Sequence, residues 1–347
     1  MDRVLIKQVN WLGDLVMTLP ATRAVRDAFP RASISLLVRQ ELSGFYDGAD
    51  WIDEVLPYRL VSGLGSIAGQ LRLIRDLRAR NFDTAVLFPR SFSSALWIRL
   101  AGIPRRIGWS DDARGFLLSE SFKRLPDLLR QHQVNDHTEL VRRGLAIEAD
   151  PRRLEVPVAS DHVDSMRDWL RERRTRTGRL VALAVAAAYG PAKEWPARSY
   201  SALIDRLAAD FDTECVLVGS PGESARCRAV ADAARAAPLV AAGETSVGEL
   251  IALLSLCDGF VGNDSGSMHV AAALGVPTVG IFGSTRAWRT GPMGSLARVV
   301  QHPLECSPCM SRTCRFGHYD CLRSVTVDDV VAGLNEVWVG TAAKSEP

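Results

Sequence analysis

The sequence predicts an α/β protein made of two doubly wound parallel-sheet domains, and three observations carry that prediction. Short β-branched runs alternate with amphipathic stretches through the first half, the sequence form of a parallel sheet with crossover helices. The alternation pauses at a Pro-containing, strongly charged segment, 155–178, and then restarts. The chain of 347 residues also exceeds the size, about 250–300 residues, at which one hydrophobic core stops growing.

The elements follow in order. Residues 4–9 (VLIKQV) read as a strand, 18–29 as a helix and 33–38 (SISLLV) as a strand. Pro20 is tolerated in a first helical turn, which places the helix start just after Gly13–Asp14. Residues 67–80 then carry Leu71, Ile74 and Leu77 along one helical face, ahead of a strand at 84–88 and a helix near 94–100. After the charged break, strands are expected at 180–186, 215–218, 259–262 and 277–282, with helices at 199–209, 222–233, 246–256 and 267–274. Residues 326–339 read as a last helix and 342–347 as a frayed tail. The expected domains are therefore 1–160 and 161–325, with 326–347 as a C-terminal helix and tail. Two such sheets facing each other leave a cleft lined by the loops at the strands' C-terminal ends, where ligands bind in open α/β sheets.

Composition narrows the function. The 42 Lys and Arg residues nearly balance 40 Asp and Glu, so net charge gives no reason to expect a nucleic-acid partner. No apolar run approaches the roughly 20 residues that span a bilayer, and the N-terminus has no signal-peptide core, so a cytoplasmic protein is expected.

Three segments carry chemistry. In FVGNDSGSMHVAAALG a buried strand runs through Asp264, Ser265 and Gly266 directly into an Ala-rich helix, leaving backbone N–H groups that suit an anion such as a diphosphate. The same residues also suit a plain helix cap, and His269 reads equally as a core histidine or a ligand contact. A second Gly-rich loop, Gly283, Ser284 and Thr285, follows the next strand. In AYGPAKEWP, Lys193 sits on a strand-end loop ahead of a helix, where it either neutralises a leaving diphosphate or is simply solvated. In NWLGD the first strand ends at Asn10 and presents Asp14 at a strand–helix junction, as an N-cap or as a general base. The spacing lacks G-x-G-x-x-G, which excludes a dinucleotide fingerprint.

Seven cysteines divide into two groups. Cys215, Cys227 and Cys257 lie in apolar segments, whereas Cys306, Cys309, Cys314 and Cys321 form C-x2-C-x4-C-x6-C. Four soft ligands so close together suit a structural zinc or iron centre in tetrahedral geometry, and free thiols are the alternative.

The strings NWLGDLVMTLPATRAVRDAFP, SFSSALWIRLAGIPRRIGWSDDARGFLL, AYGPAKEWP and NDSGSMHVAAALGVPTVGIFG, collinear over nearly the whole chain, resemble the ADP-heptose:lipopolysaccharide heptosyltransferases, glycosyltransferase family 9, and most of all its heptosyltransferase II branch. The resemblance implies a GT-B fold of two Rossmann-like domains facing a central cleft, the N-terminal one binding acceptor and the C-terminal one the nucleotide sugar. It implies an inverting transferase moving heptose from ADP-heptose to the lipid A-linked inner core, at the second heptose, with no cofactor for the chemistry and peripheral contact with the cytoplasmic membrane face. Asp14 then matches the general base and Lys193 the diphosphate lysine. Asp264, Ser265, Gly266 and His269 match the donor loop, and Glu223 a carboxylate beside the nucleoside. Asn10, Ser91, Ser94 and Arg114 fall in acceptor-side segments, with Arg105 and Arg106 nearby. One departure stands out: before Tyr189 the family usually has Gly-Ala, whereas here Val185 is followed by Ala186, Ala187 and Ala188, and a lost glycine narrows backbone access to the phosphates. Competing readings are a transferase of ADP-heptose to a protein or another glycan, and an inactive nucleotide-sugar-binding scaffold. The retained Asp14 favours an enzyme.

Overall fold

Runs such as Val4–Leu5–Ile6 have no polar alternation, and each of these side chains is fully buried, as a central parallel strand covered on both faces requires. In a computed structural model, which describes residues 1–59 and 65–342, the chain divides into two units, Met1–Pro157 and a second beginning at Val158.

The first unit runs β1 (Arg3–Lys7), α1 (Leu12–Ala28), β2 (Ser33–Arg39), β3 (Glu54–Tyr58), α2 (Gly65–Ala79), β4 (Thr84–Leu87), α3 (Phe92–Leu100), β5 (Arg105–Trp109), β6 (Glu120–Phe122), α4 (Pro126–Leu129) and α5 (Val134–Leu145). The second runs α6 (Ser160–Arg173), β7 (Leu180–Ala184), α7 (Ala197–Phe211), β8 (Glu214–Leu217), α8 (Ser224–Ala233), β9 (Leu239–Val240), α9 (Val247–Ser255), β10 (Gly259–Asn263), α10 (Gly266–Ala273), β11 (Thr278–Ile281), α11 (Ala287–Thr290), β12 (Ala297–Val300), α12 (Asp320–Arg323) and α13 (Val327–Ala342).

The two six-stranded sheets have the same order, β3-β2-β1-β4-β5-β6 and β12-β11-β10-β7-β8-β9, and their strand pairs are parallel. The order reverses between β1 and β4 in one sheet and between β7 and β10 in the other. These are the switch points where an open sheet holds its ligand, so the loops after those four strands are the places to look for a site.

Each unit has its own core. Leu5, Leu37 and Leu87 pack against Leu77 of α2 and Trp97 of α3 in the first. Val181, Leu183, Val261 and Val279 pack against Leu203 and Leu207 of α7 and against Val330, Leu334 and Val337 of α13 in the second. The last helix thus completes the second unit's core. Residues 343–347 of the expected tail lie outside the described residues.

Several elements depart from expectation. Helix α1 begins at Leu12 with Trp11 as its N-cap residue, so Pro20 stands in the helix interior rather than in the first turn. Burial of Leu15, Val16, Met17 and Leu19 around it offsets a defect that costs about 3 kcal/mol in an exposed helix. Strand β3 (EVLPY) carries Pro57, which periodicity alone argues against, but it is an edge strand, where a missing N–H is tolerated. Strand β5 (RRIGW) is masked in the sequence by two arginines. In the fold Arg105 pairs with Glu120 of β6 and donates to Gly144 O, and Arg106 donates to the carbonyls of Leu117, Ile103 and Pro104.

Candidate active site

The second unit gathers the strongest sequence signals at its switch point. After β7 the chain turns through Gly190 into a short 3-10 turn, Pro191–Lys193. After β10, Asp264 and Ser265 lead into α10, whose N-cap Ser265 makes no side-chain cap bond. The first-turn N–H groups of this helix therefore remain an anion-binding end. Lys193 Nζ lies 2.6 Å from Asp264 Oδ2, and Thr285 donates its hydroxyl to the same oxygen at 2.6 Å. Asn263 fixes the two loops to each other: its Oδ1 accepts the Trp195 N–H at 2.8 Å and its amide donates to Ala184 O at 3.5 Å. Ser265 and Ser267 hydroxyls lie 3.1 Å apart beside Gly266, and His269 is buried one turn into the helix. Ala186 and Ala187, in place of the family glycine, are both buried, and the Ala187 N–H donates to Glu194. Glu223 closes a capping box, its Oε2 accepting the N–H and hydroxyl of Ser220 at 2.7 Å each.

The first unit presents Asp14 at its own switch point. Asp14 is the third residue of α1, so it does not occupy the N-cap. A carboxylate there is favoured by the helix dipole, and Asp14 Oδ1 accepts the amide of Gln133 at 3.0 Å. Gln133, the N-cap residue of α5, lies far away in sequence, and no local pattern announces it. Asn10 Oδ1 accepts the Tyr58 hydroxyl at 3.0 Å. Ser91, Ser94 and Arg114 do come together: Arg114 donates to Ser91 O and Ser94 Oγ at 3.2 Å each and to Trp109 O at 2.9 Å. Yet Arg114 is 0% exposed and Ser94 is buried, and burial brings the guanidinium down to about 10. Arg114 thereby ties the loop after β5 to the start of α3.

The family model described as glycosyltransferase family 9 (heptosyltransferase) matches residues 70–320. The chain belongs to glycosyltransferase family 9. This family-9 enzyme is 26% identical over 344 residues to lipopolysaccharide heptosyltransferase 2 of Escherichia coli K12, covering 96% of this chain and 97% of the relative. It superposes on the structure of the E. coli ADP-heptose LPS heptosyltransferase II with a TM-score of 0.84 and 25% identity, over 99% of this chain and 100% of the other. The family-9 glycosyltransferase of Veillonella parvula gives the same TM-score at 20% identity, covering 98% and 97%. The α/β fold class expected from the sequence is thus the GT-B class of these transferases.

In this glycosyltransferase the Cys-rich segment does something its spacing did not suggest. The stretch 307–312 crosses the loops after β11 and β7 as a strap: Ser307 donates its hydroxyl to Gly283 O, and Met310 donates its N–H to Ser284 O at 2.8 Å. Tyr189 donates its hydroxyl to Met310 O at 2.7 Å, and the Ala192 N–H donates to Arg312 O at 3.0 Å. The zinc or iron centre expected at Cys306, Cys309, Cys314 and Cys321 is not supported, because among the described residues no three His, Cys, Asp or Glu side chains are grouped to hold a metal ion. Cys321 is buried against Gly283, and that burial, with the nearby Cys309, Cys306 and Cys314 adding to it, pushes its thiol up. Cys314 turns into its own loop, where backbone N–H groups led by that of Tyr319 hold its thiol below the usual range.

Proposed function

We propose that this glycosyltransferase moves L-glycero-D-manno-heptose from ADP-heptose to the lipopolysaccharide inner core, adding the second heptose to heptosyl-Kdo2-lipid A with inversion. The observation that carries the reading is the Lys193–Asp264 pair set against the uncapped start of α10, a cation and an anion-binding helix end side by side in a family-9 chain. In this reading Asp14 takes the proton from an acceptor hydroxyl, and the oxygen attacks the anomeric carbon. The bond from that carbon to the phosphate oxygen breaks, and ADP leaves with the electron pair. A β-linked donor becomes an α-glycoside. Lys193 and the N–H groups at Ser265–Gly266 stabilise the charge gathering on the diphosphate, a type of interaction worth about 3–4 kcal/mol per donor in transition states. Asp264 and His269 face the sugar, Glu223 the ribose, and the loops after β1 and β4, with Asn10 and Ser91, the acceptor. No cofactor takes part in this step.

The acceptor is lipid-linked, so the reading includes peripheral contact with the cytoplasmic membrane face. Among the described residues no helix is long and apolar enough to cross a membrane. Supporting contact is an exposed aromatic pair, Phe92 at the start of α3 and Phe116 in the 3-10 turn between β5 and β6, with ring centroids 6.1 Å apart and exposures of 38% and 70%. Arg90 and Arg99 are exposed on either side of Phe92 in sequence, a combination suited to anionic headgroups.

A transfer assay with ADP-heptose against Kdo2-lipid A, with and without its first heptose, tests the proposal. Product is expected only with the first heptose in place. Transfer to the heptose-free acceptor alone moves the enzyme to the first step, and transfer to neither removes the core acceptor from the reading.

A further inference from the structure

Two cations converge on one aromatic ring beside the donor loops. Lys193 Nζ lies 4.8 Å from the centroid of the Tyr189 ring, and Arg312 Cζ lies 5.1 Å from the same centroid. Arg312 belongs to the strap, and its backbone is fixed at that place. Its carbonyl accepts the Ala192 N–H one residue before Lys193, while the Tyr189 hydroxyl is spent on Met310 O two residues earlier. The approach is close enough to dictate the neighbouring residue. Gly190 has φ +142°, and a Cβ there would meet Arg312 O at 2.7 Å. The strap is also tied to Ser284 O, next to the Thr285 that holds Asp264, so Arg312 shares one scaffold with the Lys193–Asp264 pair.

The charges on this scaffold do not suit a diphosphate unless Arg312 is counted. Lys193 and Asp264, at 2.6 Å, neutralise one another, and a nucleotide diphosphate brings at least two negative charges to the same place. Arg312 is exposed and has no carboxylate partner among the described residues. A guanidinium resting on an aromatic face keeps its N–H fork available for phosphate oxygens. We propose that Arg312 is a further donor-binding residue, donating to the diphosphate of the nucleotide sugar alongside Lys193 and sharing the charge of the departing group. The inference rests on the reading of the second unit as the nucleotide-sugar unit. It gives the Cys-rich strap a role in donor binding that needs no metal.

Isothermal titration of the full chain with ADP and, separately, with adenosine tests it, using Arg312→Ala, Arg312→Lys and Lys193→Ala beside the unaltered protein. Arg312→Ala is expected to weaken ADP about tenfold, the size of one charge-assisted hydrogen bond, while adenosine affinity and melting temperature stay unchanged. Arg312→Lys should recover part of the loss. If Lys193→Ala weakens ADP and Arg312→Ala does not, the inference fails and the donor reading stands. Equal loss of ADP and adenosine in Arg312→Ala also overturns it, since that marks a distorted loop. If Lys193→Ala itself leaves ADP binding untouched, the donor reading fails and the inference falls with it.

Discussion

Lys193 Nζ and Asp264 Oδ2 lie 2.6 Å apart, joining the loop after β7 to the loop after β10 across the point where the strand order reverses. Both side chains are largely buried, so the pair is less screened than a surface ion pair. In the proposed function a donor diphosphate arriving there competes with Asp264 for the lysine. Asp264→Asn removes that competitor while keeping the shape. ADP affinity should therefore hold or rise, while kcat falls on the order of 10–100-fold through loss of the carboxylate proposed to face the sugar. A tenfold fall in ADP affinity, measured by calorimetry, contradicts this account of the pair.

Gln133 supports Asp14 by donating to Oδ1 at 3.0 Å. A donor to a carboxylate favours its ionised form, the form a general base must have. Gln133→Met should lower kcat on the order of tenfold by releasing the Asp14 carboxylate and leave KM for the donor unchanged. An unchanged kcat in the variant shows that the contact does not act on the base.

Lys7 ends β1 with its ammonium in the core, over the Tyr58 ring at 4.6 Å and donating to Gln8 O. Burial, with a smaller push from Arg39, brings its pKa down to about 7. The sign follows from proton counting. Between about 7 and the ordinary lysine value of about 10.4 the unfolded chain holds a proton that the folded chain has lost, so this group's contribution to stability rises with pH through that window. Below pH 7 the full cost of the buried charge remains. Lys7→Met should stabilise the protein by about 1 kcal/mol or more at pH 7 and flatten the rise towards alkaline pH in thermal melts. A less stable variant at pH 7 shows that the Tyr58 and Gln8 contacts outweigh desolvation.

Phe92 and Phe116 offer a direct test of membrane contact. The double substitution Phe92→Ser with Phe116→Ser should reduce co-sedimentation with phosphatidylglycerol vesicles at least threefold and leave ADP affinity unchanged, because each buried aromatic contributes roughly 1.5–3 kcal/mol. Equal sedimentation of both proteins removes this pair as the contact.

The placing of Lys193, Asp264, Ser265 and Gly266 at strand ends was legible because the signals are local: each sits within a few residues of a strand end, and β-branched runs announce those strands. Residues that reach the site through the fold were not legible. Gln133 meets Asp14 from 119 positions away, and Arg312 meets Tyr189 through a segment whose cysteines drew attention to metal chemistry instead. The burial of Arg114 was not legible either, because an arginine in a polar string gives no sign that the fold buries it. Short or polar strands such as β5 and β6 went unseen for a related reason, since RRIGW opens on two arginines and ESF is three residues long. The position of Asp14 was placed correctly at a strand–helix junction, but whether it caps the helix was settled only by the helix beginning at Leu12.

The central claim is a division of labour, with Asp14 acting on the acceptor and the Lys193–Asp264 loops holding the donor. Asp14→Asn, assayed for heptose transfer from ADP-heptose and for ADP binding on the same preparation, addresses it most directly. The account predicts transfer reduced by at least about a thousandfold, within the range general-base catalysis supplies, with ADP affinity unchanged. Transfer at the unaltered rate in Asp14→Asn contradicts it.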